Sequence, residues 1–465
     1  MERLALALFV LVAGCAANVP QCDGCLILYD VTIIDGLGNE PVEHQVIIIR
    51  EGLIVDIFTA QEYGNPPEDQ PLDVAGSYVI PGLIDMHAHV TILPMDGRDR
   101  MITEMDKLAS SEVLQSLLDF GITTIRNPAA PTENAVALRD SVEAGVIDGP
   151  EIVTAGNALN RTAAYFGPFV ATATVQAVRA EVEWQASLGV DYIKVYSSLS
   201  PDLIQAAVEE AHAQGLEVIG HLQRTTWTEA ARLGIDHIAH GVPWSAEYLP
   251  EDARQGYQGT LKDRMTWLEQ VDFSGPAIQE MIQVMADSGV TVDPTLVAYR
   301  TKFYGDDPRY LTNPDSVYAP KLIREIWQRG TFTDDWTPED YARGHTVWPR
   351  VLELTKAMYD GGVLLTAGSD LPNPWVIPGA SLHEELQLLH DAGIPNLDAL
   401  RIATYNGAVS LGFEDRIGSV SVGKEADLVV LRADPVVDLA NTRKIEWVIV
   451  NGVIHRPRRW ARQVF

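Results

Sequence analysis

Apolar residues follow two textures along the chain. Short runs broken by turn residues open it: Leu26-Ile27-Leu28, then Val46-Ile47-Ile48-Ile49, then Leu53-Ile54-Val55. The same texture returns at the end, in Asp427-Leu428-Val429-Val430-Leu431 and in Trp447-Val448-Ile449-Val450 before a turn at Asn451-Gly452. Runs of this length and composition predict strands. Neither set is large, so the two terminal segments, residues 22–78 and 412–465, are expected to pair into one small β-sandwich. Between them, over residues 79–411, short apolar strands alternate with longer stretches of helical spacing such as Pro201 to Gln214 and Trp227 to Leu233. That alternation predicts a parallel α/β domain. Eight candidate strands end near His87, Arg126, Ala155, Tyr196, His221, His240, Pro294 and Asp370. Eight strand–helix units favour a closed (β/α)8 TIM barrel over an open sheet, and a barrel places its chemistry where strands end.

Chemistry-bearing residues do fall at those ends. The first strand finishes Asp85-Met86-His87-Ala88-His89. Side chains two apart in a strand share a face, so both rings can point into the barrel mouth and bind one ion. The fourth strand contains Ile193-Lys194-Val195; if its apolar residues face the helices, Lys194 faces the lumen. A lysine buried there must be paired, neutral or modified. Carboxylation by carbon dioxide would make it an anionic carbamate able to bridge two metals; the alternative is an amine that snorkels to solvent. The fifth and sixth strands end in His221 and His240, and the eighth ends Gly368-Ser369-Asp370. His237, three before His240, faces away in a regular strand and reads as a packing residue.

Together, His87, His89, Lys194, His221, His240 and Asp370 resemble the ligand set of the amidohydrolase superfamily, in its binuclear members with a carboxylated lysine. The resemblance runs from Leu26 to about Val453. It includes the entry motif from Val79 to His89 and the closing segment from Ile417 to Val429. It implies that His87, His89 and Asp370 hold one divalent ion, zinc by expectation, and His221 and His240 the other, with the carbamate of Lys194 bridging them. It further implies a metal-bridging hydroxide that cleaves a carbon–nitrogen bond of a small molecule, as in dipeptidases and N-acyl amino acid hydrolases, with Asp370 as catalytic proton carrier. Charge counting agrees: two divalent ions beside an unmodified ammonium would leave the site strongly positive. Two other readings compete. A mononuclear ring deaminase resembles this pattern but carries a Glu soon after the fifth-strand histidine, where this chain reads Leu222-Gln223-Arg224. A non-catalytic surface-binding lipoprotein would retain the barrel without the reaction. The third-strand loop, Gly156-Asn157-Ala158-Leu159-Asn160-Arg161-Thr162, departs from the Gly-Gly-His often found in related dipeptidases, so the substrate stays open. Arg161 and Arg224 are candidate contacts for a substrate carboxylate. The long aromatic-rich segment from Thr295 to about His345 either covers the site or forms a helical insertion with its own core. His345 and His383 read as structural.

Composition adds limits. Over 465 residues, 64 acidic side chains against 34 Lys and Arg give a net charge of −30, which disfavours nucleic acid and anionic membrane surfaces as partners. At the start, Arg3, the apolar run Leu4 to Val12 and Val12-Ala13-Gly14-Cys15 resemble an export signal with the lipobox of bacterial lipoproteins. That reading lipidates Cys15, removes the residues before it, and gives an outer-membrane lipoprotein facing the periplasm or cell surface. An ordinary cleaved signal would instead leave a soluble periplasmic protein. Cys22 and Cys25 are either a small disulfide or two inert thiols.

Overall fold

The computed structural model describes residues 24–65, 72–91, 104–162 and 168–458. Eight parallel strands build the barrel: Leu83–Asp85, Ile122–Asn127, Glu151–Thr154, Tyr192–Val195, Glu217–Gly220, His237–Ala239, Thr291–Asp293 and Leu364–Leu365. Successive strands pair in parallel. An Ala155–Tyr192 bridge joins the third to the fourth, and an Ala88–Leu371 bridge closes the ring. The eighth strand stops at Leu365, so Asp370 stands on the turn beyond it. Two strands of three residues each, Ala158–Asn160 and Phe169–Ala171, extend the wall after the third; they are too short to carry a legible period.

Alternation sorts the fourth strand as expected. Ile193 and Val195 join the main core packed against the helices, which turns Tyr192 and Lys194 inward. The lumen is closed at the opposite end from the mouth by helix Tyr405–Leu411. There, Tyr192 Oη donates to the Ser410 carbonyl at 3.4 Å, and Thr291 Oγ1 lies 2.9 Å from Ser410 Oγ. His237 belongs to the same layer, with Nδ1 2.7 Å from Thr291 Oγ1 and Nε2 2.9 Å from Glu217.

The termini make one mixed sheet of seven strands, in the order Val453–His455, Ile445–Val450, Leu428–Leu431, Tyr78–Pro81, Leu26–Ile33, Val42–Arg50 and Leu53–Thr59. The sheet curls until Leu53 pairs with Glu425 and Ile54 accepts from and donates to Gly423 and Lys424, each at 2.8 Å. Leu28, Ile47, Ile54, Leu428 and Ile449 then share one core. The sandwich-like interior thus comes from a single curled sheet. Gly82 passes the chain from this sheet into the first barrel strand. Its N–H donates to the Asp427 carbonyl at 2.8 Å, and a Cβ there would lie 2.1 Å from Thr123 Oγ1, so only glycine fits.

Cys25 is disulfide-bonded; Cys15, Cys22 and the leader lie outside the described residues. Among the described residues, no helix is long and apolar enough to cross a membrane.

Candidate metal centre

Each histidine at the barrel mouth is held by its backbone to the neighbouring strand or the loop that follows it. The N–H of His221 donates to Val195 at 3.0 Å, that of His240 to Asp293 at 2.8 Å, and that of His89 to Leu371 at 2.9 Å. The Asp370 N–H donates to His87 at 2.7 Å, joining the eighth strand's turn to the first strand. His240 (φ 74°) and Asp370 (φ 59°) sit in the left-handed region, which costs a non-glycine residue roughly 1–2 kcal/mol. Small neighbours make room: a Cβ on Gly368 would lie 2.8 Å from the Cβ of His87.

Three of the four imidazoles are bound from behind. Nδ1 of His87 donates to Asp293 at 2.6 Å, Nδ1 of His89 to the Ala129 carbonyl at 3.0 Å, and Nδ1 of His240 lies 2.8 Å from Thr295 Oγ1. His87 and His89 therefore turn Nε2 toward Asp370, and His240 turns Nε2 toward His221, with an outer partner fixing the tautomer of each as it does for a metal-binding histidine. Nε2 of His87 and of His89 lie 3.5 and 3.7 Å from Asp370 Oδ1, and the three residues form a group able to hold an ion. Nε2 of His240 faces Nδ1 of His221 at 2.9 Å. Two neutral rings at that distance share one proton, a place a cation can also take.

Lys194 completes the set. It is 2% exposed, and among the described residues its Nζ has no hydrogen-bond partner. Burial pushes its pKa down to about 8. Burial also holds His87, His221 and His240 well below the usual imidazole range, with the Lys194 charge adding to each. All three rings are neutral at pH 7, as ligands must be. The carboxyl of Asp370 is raised by burial, partly offset by Lys302. The donors thus fit a divalent pair: neutral imidazoles, one carboxylate, and one orphaned amine that is reactive as a free base near pH 8.

Several contributors escaped the sequence reading. Asp293, fully buried, takes His87 on one oxygen and Arg126 Nη2 on the other at 2.6 Å each; burial lifts its pKa to about 7. Asp85, lifted by burial to about 6, accepts from the Ser369 N–H at 2.9 Å and Oγ at 2.6 Å, fixing the turn before Asp370. The signal for both was a carboxylate inside an apolar strand. Arg161 and Arg224 line one cavity of about 550 Å³ with Ser197, Ser198, Gln223, Glu247 and Tyr257. His383 is structural: its Nε2 donates to the Phe120 carbonyl at 2.9 Å. The aromatic segment is helical, with Tyr299, Phe303, Trp336 and Trp348 in the main core, yet Tyr299 also reaches the centre, its ring 6.3 Å from His240.

The model of the Amidohydrolase family matches residues 78–454. An imidazolonepropionase of Pseudomonas putida is 24% identical over 428 residues, covering 86% of this chain and 90% of that protein. An uncharacterized protein of Mycobacterium tuberculosis is 28% identical over 181 residues; that match spans 36% of this chain and less than half, 45%, of the relative. Among solved structures, a Xaa-Pro dipeptidase with bound methionine in the active site superposes with a TM-score of 0.68 at 21% identity, covering 93% of this chain and 100% of that one. A bottromycin amidohydrolase gives 0.69 at 23%, covering 96% and 90%.

Proposed function

The chain belongs to the amidohydrolase family, and from that premise we propose that it is a metal-dependent hydrolase cleaving a carbon–nitrogen bond of a small dipeptide or N-acyl amino acid. The observation that carries this reading is the convergence of the back-bonded His87 and His89 on Asp370, with the His221–His240 pair alongside and the buried amine of Lys194 without a hydrogen-bond partner among the described residues. His87, His89 and Asp370 would hold one divalent ion, and His221 and His240 a second, with Lys194 as its carbamate serving both. Bound there, zinc or a similar ion supplies Lewis-acid activation of water and of the scissile carbonyl.

The chain's own residues supply the rest. At its lowered pKa, a large share of Lys194 is free amine near pH 8, the form that adds carbon dioxide. Asp293 keeps His87 in one tautomer, and Thr295 aims His240. Asp370, raised by burial, accepts the proton of the attacking water on a carboxylate oxygen and delivers it to the leaving nitrogen. The mononuclear deaminase reading leaves Lys194 without a role.

Metal analysis of purified protein should find close to two divalent ions per chain, and a screen of dipeptides and N-acyl amino acids should find hydrolysis that a chelator abolishes. Full activity without metal would end the reading. Lys194→Ala should lose much of the metal; unchanged content and rate would make Lys194 a spectator.

For export, the motif ending at Cys15 supports lipidation. Radiolabelled fatty acid should enter the wild-type protein and not Cys15→Ser, and an unlabelled wild type would remove the anchor.

A further inference from the structure

Loops after four successive barrel strands frame the cavity of about 550 Å³. Arg161 stands beyond the third strand, Ser197 and Ser198 beyond the fourth, Gln223 and Arg224 beyond the fifth, and Glu247 beyond the sixth. The last three of those strands are the ones that carry Lys194 or lead into His221 and His240. Hydrogen bonds lace the frame together. The Arg224 N–H donates to the Ser197 carbonyl at 3.0 Å, and the Arg161 N–H to Ser198 Oγ at 3.1 Å. Ser198 donates in turn to Asn160 Oδ1, from its N–H at 3.2 Å and also from its hydroxyl. Gly259 (φ 74°) backs Gln223, since a Cβ there would lie 1.9 Å from Gln223 Nε2. Two arginines from different loops are thus tied by their backbones to the segment that follows Lys194, and both line the same cavity.

We propose that this cavity receives the leaving half of the substrate, with Arg161 and Arg224 gripping its free carboxylate. The proposal rests on the hydrolase reading above and names its substrate class, an N-acyl amino acid or dipeptide with an unblocked C-terminus. Charge carries it first. Among the described residues neither guanidinium makes a hydrogen bond or an ion pair; the bonds that fix Arg161 and Arg224 come from their backbones. Glu247, the one carboxylate lining the cavity, is engaged by Arg254, whose Nη1 donates to it at 3.2 Å and whose Nη2 donates to its carbonyl at 2.8 Å. Asp202, on the first turn of helix Pro201–Ala213, feels the Arg224 charge but is held below the usual carboxylate range chiefly by Ser200. The cavity therefore presents two open guanidinium forks in a chain whose net charge is −30. A carboxylate fits that local exception, and the fork geometry of arginine pairs it on two bonds. Position carries the proposal second. Tyr196, directly before Ser197, has its ring 4.5 Å from that of His221, so the cavity wall adjoins this half of the centre. Arg224 follows His221 by three residues, a stretch of backbone that spans at most about 11 Å. In an N-acyl amino acid a single carbon separates the scissile nitrogen from the carboxylate. An arginine side chain reaching back along that span meets the carboxylate of a molecule whose amide lies at the candidate metal centre. The volume suits the remainder, because small-molecule pockets run to about 300–1,000 Å³.

The test pairs N-acetyl-serine, N-acetyl-glutamine and N-acetyl-phenylalanine with their primary amides, which lack the charge at issue. Affinity for the purified protein is read by calorimetry as Kd, or as KM where a compound is turned over, and hydrolysis by release of the free amine. A hydrogen bond to a charged group is worth about a decade in affinity or more, so at least one acid should bind about tenfold more tightly than its amide. Both arginine side chains are exposed, so Arg161→Gln and Arg224→Gln should keep the wild-type Tm and metal content. Each should remove most of the preference by weakening the acid and not the amide. No acid preferred over its amide, detectable binding of neither included, overturns the subsite. So does a preference that survives in either glutamine variant. A preference that is present and lost as expected, with no compound hydrolysed, upholds the subsite and sinks the hydrolase reading instead.

Discussion

Asp293 illustrates how one residue can be structural and functional together. It is the buried counter-ion of Arg126, whose Nη1 has no hydrogen-bond partner among the described residues, and it is the back support of His87. Removing one partner of a buried pair leaves an uncompensated charge, at a cost of about 3–5 kcal/mol. Asp293→Ala should therefore lower Tm sharply and weaken metal binding about 10–100-fold, the usual loss when an outer partner goes. Denaturation and metal titration check both, and a stable variant with normal affinity would deny Asp293 either role. Asp370 differs in kind, since in the proposed reaction it would carry the proton itself. Asp370→Asn keeps the shape while removing the base, so kcat should fall by about 10²–10⁴ with a smaller change in KM. Near-normal kcat would move the proton to another group.

At the scale of elements, helix Leu296–Phe303 is the piece that brings Tyr299 and Lys302 to the mouth, and its first turn is pinned by a single acid. The N–H groups of Leu296 and Val297 donate to the two oxygens of Glu385 at 2.9 and 2.7 Å. Burial lifts the Glu385 carboxyl to about 8 from its ordinary 4.5. An acid whose folded pKa is raised holds its proton more tightly when folded. The stability it lends is complete below about 4.5 and is lost as pH climbs through about 8. Wild-type Tm should thus fall across that window, and Glu385→Gln should flatten the fall; an unchanged slope would assign it elsewhere. Glu385 also marks where the sequence stopped speaking. Strand ends and the mouth histidines were legible because a barrel forces ligands to strand termini and a period of two sorts faces. Asp85 and Asp293 were not, because a carboxylate in an apolar run says only that it is buried; Glu385 sits among polar helix residues, and the partners of all three lie far along the chain.

For the whole molecule, Gly82 is where the terminal sheet and the barrel become one object. Gly82→Ala would force its Cβ into Thr123, and overpacking of this kind costs about 1–3 kcal/mol. Lower Tm together with reduced metal content should follow, because His87 and His89 lie just downstream; normal values for both would show that the joint is slack. The strand before it, Tyr78–Pro81, sits between Leu26–Ile33 and Leu428–Leu431. A ribosome makes the first two of these early and the third nearly last. Until then, one edge of Tyr78–Pro81 has its amides and carbonyls unmatched, an invitation to pair with another nascent chain. The barrel cannot be finished as an independent unit while its lead-in strand waits for the final stretch of translation. A chain terminated just before Leu428 should accordingly collect in inclusion bodies instead of yielding a smaller soluble barrel, and chaperone demand should peak late in synthesis.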